Sequence, residues 1–218
     1  MLNSPTRKLN FNTRSRANFL LFNQHNTTHH TIKIASKILA TAILLAASSV
    51  SAVNVPRDGA KFTLVAHTTT PTASGPNVDG FEVGFTRPQT DTGIVTLTAP
   101  GDGHVLTGQA GNIISVADFG CSSGGAGEWV VNPGGTATVP NKNMVVVGCV
   151  GGSPDFTIEV DESRNGGEQT LTFAGGKWAA CKGSAVGLDD SYNVLNFMKD
   201  GQRPLEGCQE IVLVPTFV

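Results

Sequence analysis

The chain has 218 residues, a formal net charge of −2 and four cysteines. All 17 acidic residues lie at Asp58 or later, whereas Arg7, Lys8, Arg14, Arg16, Lys33, Lys37 and Arg57 precede them. A chain divided in this way is not one uniform unit, and its acidic part excludes the Lys/Arg clusters on which phosphate-backbone binding rests.

Ile38 to Ala47 is an apolar run interrupted only by Thr41. Lys33 and Lys37 precede it, and Val50-Ser51-Ala52 follows with small side chains. This order is that of a secretory signal: a basic region, an apolar region and a cleavage site. The run falls short of the roughly 20 apolar residues a membrane span needs, so no membrane anchor is expected. An acid-free, Arg-containing start also fits a mitochondrial presequence, but here the apolar run is unbroken rather than amphipathic. Met1 to Ser36 is unusually long and polar for a signal's basic region. It reads as an extension of the gene rather than as part of the fold. Two regions result: 1–52, a leader with its signal, and 53–218, an exported domain.

The exported part has 166 residues, enough for one domain with a core of its own. It keeps nine basic residues against all 17 acids, a net charge of −8. Its cysteines are Cys121, Cys149, Cys181 and Cys208, at spacings of 28, 32 and 27. Metal sites need close pairs, so two structural bridges are expected. Three pairings are open; adjacent pairing, Cys121 with Cys149 and Cys181 with Cys208, is the one expected here.

In chain order, short apolar alternations are broken by Gly, Pro, Asn and Asp. They are Phe62–Ala66, Phe81–Phe85, Ile94–Leu97, His104–Leu106, Ile113–Val116 and Glu128–Val131. Thr136–Val139, Met144–Val147, Phe156–Val160, Thr170–Phe173, Lys177–Cys181 and Ile211–Val214 follow. β-Branched and aromatic residues at this spacing predict an all-β, single antiparallel domain. Its form is a β-trefoil-like barrel or a β-sandwich, stapled by two disulfides; no threefold repeat stands out. Asn165-Gly166 and Gly175-Gly176 are the best tight turns, and the second is expected to close a hairpin between Thr170–Phe173 and Lys177–Cys181. Leu188, Tyr192, Leu195 and Met198 fall near helical spacing, whereas Asn193 to Met198 alternates as a strand would. The Gly-rich segment Gly124 to Gly127 and the segment Pro71 to Pro76 read as surface loops.

Few side chains are suited to catalysis. The exported part has two histidines, His67 and His104, and one tyrosine, Tyr192. A Ser-His-Asp triad would need one of those histidines, with Ser122 or Ser123 as the hydroxyl beside His104, but no nucleophile-elbow pattern occurs. Glu159 and Asp161 would share one face of a strand and form a possible acidic site for glycoside hydrolysis or loose calcium binding. A solvated acidic edge explains them as well. No cofactor and no resident metal are expected. Trp129, which follows Glu128 and a Gly-rich loop, is the candidate aromatic platform for a ligand. Trp178 is expected to pack beside the bridge of Cys181.

Trp178-Ala-Ala-Cys181, Pro204 and Cys208-Gln-Glu-Ile-Val-Leu-Val-Pro-Thr-Phe-Val218 resemble the tail of a family of small secreted fungal proteins. Some members of that family are labelled IgE-binding proteins. The resemblance covers about 40 residues. It implies a fungal source, secretion and a bridge joining Cys181 to Cys208, and it brings no catalytic residues. The early His-Thr-Gly-Ala-Gly-like turn of that family is missing from Phe81 to Pro100. The expected role is a secreted, non-enzymatic extracellular or cell-surface protein, antigen- or effector-like. Its partners would be a cell-wall glycan or a host protein. The alternatives are a carbohydrate-binding module built on Trp129 and a secreted hydrolase using Glu159 with Asp161 or His104.

Overall fold

A computed structural model describes residues 53–54, 59–72, 74–87, 92–121, 126–136, 138, 143–149, 151–162, 164 and 167–218. The strands are β1 (Val53–Asn54), β2 (Lys61–Thr68), β3 (Glu82–Thr86), β4 (Thr92–Thr98), β5 (Leu106–Gln109), β6 (Asn112–Asp118) and β7 (Ala126–Val130). Next come β8 (Val146–Gly148), β9 (Phe156–Asp161), β10 (Glu168–Phe173) and β11 (Lys177–Lys182). A short helix α1 (Gly183–Val186), β12 (Asn193–Met198) and β13 (Cys208–Phe217) complete the chain.

All the strand pairs are antiparallel, and nine strands close into a barrel in the order β2-β5-β6-β7-β8-β4-β12-β11-β13. Closure comes from β13 against β2, in register from Ile211↔Thr68 to Phe217↔Phe62. Strand β3 bridges β2 and β4, while β10, β9 and β1 extend outward from β13. The barrel is thus the form taken, not a two-sheet sandwich. A closed sheet leaves few free edges to pair with other chains.

Strand alternation fills the barrel. Phe62, Leu64 and Ala66 of β2 point inward and are fully buried, as are Ile211 and Leu213 of β13. Aromatic rings complete this interior: Trp129 meets Phe156 edge-on at 5.9 Å, and Trp178 meets Phe197 at 5.6 Å. Each such side chain stabilises the fold by roughly 1.5–3 kcal/mol through burial. A smaller cluster lies outside β11 and β12 and includes Ala179, Cys181, Val186, Val194, Met198 and Cys208.

Both bridges join the expected partners, Cys121 with Cys149 and Cys181 with Cys208. Cys181 and Cys208 are directly opposite each other on β11 and β13. Trp178 does not pack beside that bridge. It is three residues from Cys181, an odd number, so the two occupy opposite faces of β11: Trp178 the interior, Cys181 the outer cluster. The Gly175-Gly176 turn is also not a hairpin. β10 and β11 pair with β13 rather than with each other. The stretch ending at Met198 is a strand, β12. Both of its faces are covered. Thr136 and Thr138 lie outside any strand, and Asn165, Gly166, Ala137, Val139, Gly124 and Gly125 fall outside the described residues. Gly127 belongs to β7 rather than to a loop.

Candidate functional site

Trp129 is not a surface platform. It is 1% exposed and points inward with Gly127 and Val131, the even spacing that one face of a strand requires. Its neighbour Glu128 faces the other way, where its carboxylate accepts a hydrogen bond from the Gly152 N–H at 2.7 Å. The indole therefore belongs to the core and offers no face to a ligand.

Glu159 and Asp161 do share the outer face of β9. They line an open groove of about 660 Å³ over β9, β10, β11 and β13, with Thr170, Thr172, Lys177 and Glu210. Most polar groups there already hold one another. The Thr157 hydroxyl donates to Glu159 Oε1 at 3.1 Å and shares a hydrogen bond with Thr172 at 2.7 Å. Lys177 Nζ reaches Glu210 Oε1 at 3.0 Å, and Arg164 Nε reaches Glu168 Oε2 at 3.3 Å. Among the described residues, no group of three His, Cys, Asp or Glu side chains is placed to hold a metal ion.

His104 lies elsewhere. Its ring stands edge-on to Phe85 at 4.1 Å, and its backbone N–H donates to Val83 O at 2.9 Å. Burial lowers its pKa, because the apolar surroundings disfavour the imidazolium. The turn before it is held by Glu82, whose carboxylate accepts the Gly103 N–H at 2.8 Å. The acidic groove and His104 are thus not brought together. Ser122 and Ser123 lie outside the described residues. His67 sits at the end of β2, with Nδ1 3.4 Å from Asp79 Oδ1, and the same oxygen accepts the Thr68 N–H at 3.1 Å.

A second groove, of about 450 Å³, opens where β3, β4 and the start of β12 meet. Tyr192, 38% exposed, stands at it with Ser191, Asn193, Thr86, Thr96 and Thr98. Phe81 and Phe85 supply the apolar wall, and no charged residue lines it. Thr96 is only 4% exposed, yet among the described residues its hydroxyl has no hydrogen-bond partner. Gly84 is its cross-strand neighbour on β3, so no side chain covers the threonine from that strand.

The loop carrying Tyr192 is pinned at several points. Asp189 Oδ1 accepts the Ser191 N–H at 2.8 Å, and Asp190 Oδ1 accepts the Ser184 N–H at 3.1 Å. Both carboxyls are held below the usual carboxylate range, first by the Ser191 and Ser184 side chains respectively. Gly183 donates its N–H to Tyr192 O at 2.9 Å, and a Cβ there would sit 1.8 Å from Asp189 O. Only glycine fits that approach.

The chain matches no protein-family model, no curated protein and no solved structure. The acidic groove was visible in the sequence as a carboxylate pair. The neutral one was not, because Thr96 and Tyr192 are 96 residues apart and meet only through the β4–β12 pairing.

Proposed function

We propose that this chain is exported from a fungal cell and acts outside it by binding, without turning over a substrate. One observation carries the reading: the candidate base His104 is held apart from the carboxylates Glu159 and Asp161, and Glu159 already accepts a hydrogen bond from Thr157. Glu159 and Asp161 line a groove that does not include His104, whose ring is packed against Phe85. Acid–base chemistry needs its groups within hydrogen-bond reach of one reacting centre. The two bridges suit an oxidising, extracellular compartment. The acidic surface suits a protein that stays dispersed. The fungal source rests on the resemblance of the C-terminal tail. An antigen- or effector-like protein at the cell surface, meeting a wall glycan or a host protein, fits these features.

The test is expression of the full chain, with its own leader, in a yeast host. Protein recovered from the medium, beginning at Val53 and carrying no free thiol, supports the reading. Retention inside the cell overturns export. Robust turnover of a defined substrate, lost on changing one carboxylate or histidine, overturns the non-enzymatic part.

A further inference from the structure

The groove beside Tyr192 supports a narrower conclusion, which rests on the reading of the protein as a binder. Three observations converge there. A tyrosine ring is presented to solvent on a loop tied down by Asp189, Asp190 and Gly183. Thr96, a residue only 4% exposed, lines the same groove, and its hydroxyl meets solvent there rather than a protein partner among the described residues. The lining is uncharged throughout, in a protein whose exported part carries a net charge of −8.

A hydroxyl that meets only solvent can exchange its water for a ligand hydroxyl, a net gain of about 0.5–1.5 kcal/mol for a typical hydrogen bond. An exposed, rigid aromatic ring gains by stacking on a flat apolar face. A charged ligand would find no counter-charge in this groove, and a purely apolar one would leave Thr96 and Asn193 unsatisfied. The ligand class that combines a flat C–H face with a rim of neutral hydroxyls is a pyranose sugar. The groove's volume lies within the range of small-ligand pockets, roughly 300–1,000 Å³. We infer that this groove is a subsite for a neutral pyranose chain. One ring stacks on Tyr192, and its hydroxyls meet Thr96 and Asn193. The acidic groove is the weaker candidate for such a sugar, because its hydroxyls and carboxylates already satisfy one another.

The experiment uses the exported protein and two soluble neutral probes, N-acetylated chitotriose and laminarihexaose, titrated by calorimetry. Binding of either probe, weakened about tenfold or more by Tyr192→Ala, is the expected result; tenfold corresponds to roughly 1.4 kcal/mol. Tyr192→Phe keeps the ring and should stay within about threefold of the unchanged protein, whereas Thr96→Val should fall between the two. Tyr192 is exposed, so its variants should keep the unchanged unfolding midpoint, which is measured alongside. Two results overturn the assignment: binding of neither probe, or an unchanged affinity in Tyr192→Ala. Chromatography of the recovered sugars separates the two proposals. Shortened probe overturns the non-enzymatic reading, while the affinity series still decides the site.

Discussion

Phe119 offers the most demanding test of the packing described above. Its ring is fully buried, lies 5.3 Å from Phe85 and carries the Arg87 guanidinium 4.3 Å above it. It also occupies the space a side chain at position 93 would need: a Cβ on Gly93 would lie 2.9 Å from two ring carbons. Phe119→Ala should cost about 3–5 kcal/mol for the lost burial and the cavity. Removal of the cation–π contact adds about 0.5–1 kcal/mol. Gly93→Ala alone should cost about 1–3 kcal/mol from overpacking, offset by about 0.5–1 kcal/mol because alanine loses less entropy than glycine in a strand. Without the ring only the 3.2 Å approach to the Thr86 backbone oxygen remains, so Gly93→Ala should cost much less in the Phe119→Ala background. The coupling is therefore about 1–3 kcal/mol, well above the ~0.5 kcal/mol scatter of independent sites. Urea unfolding followed by the fluorescence of the buried Trp129 and Trp178 reads all four proteins. Additivity within about 0.5 kcal/mol would refute the claim that the glycine exists to admit the ring.

Acid should weaken the fold through His104. Its folded pKa lies below that of the unfolded chain, near 6.5, so between the two values the unfolded state binds more protons. Stability should hold above about pH 7 and fall as the pH drops through about 6.5 toward the folded pKa; replacing His104 by Asn should remove this component from the urea midpoints. Loss of the Cys121–Cys149 bridge, by changing both residues to Ser, should cost roughly 3–4 kcal/mol for its 28-residue separation, measured as a lower unfolding free energy. Asp189→Ala releases the Ser191 N–H and should raise hydrogen exchange at Ser191 and Tyr192, with little change in melting temperature. Lys177→Ala breaks an ion pair that is half exposed on the lysine side, so it should shift stability by at most about 1 kcal/mol, less in high salt.

Much of the architecture follows from local pattern. Alternation in Phe62–Ala66 and Phe156–Val160 marks strands whichever partner they find, and an even number of widely spaced cysteines marks bridges. Partner choice is different in kind. The turn Ala174–Gly176 looks like a hairpin because turn chemistry is local, but β13, more than 30 residues later, takes a ladder from both flanking strands. β12 is ambiguous in the sequence because helical spacing over Leu188, Tyr192, Leu195 and Met198 competes with strand alternation over Asn193 to Met198; its two faces are both buried, one by the barrel interior and one by the cluster under α1.

The same reasoning explains why the aromatic platform moved from Trp129 to Tyr192. Size and a glycine-rich neighbourhood made Trp129 attractive, yet its phase on β7 matches Gly127 and Val131 and commits it to the interior. A large aromatic on an alternating strand with one buried face has two possible fates, and the hydrophobic effect decides for the core by several kcal/mol. An aromatic can stay at the surface of such a barrel only where the backbone leaves the strand pattern. Tyr192 meets that condition: it ends the loop between α1 and β12, where Asp189 and Gly183 hold its backbone and no inward face is offered to its ring. Platforms in closed β-barrels of this kind should therefore be sought at pinned loop ends beside small cross-strand residues such as Gly84, and not at the largest residue of a strand.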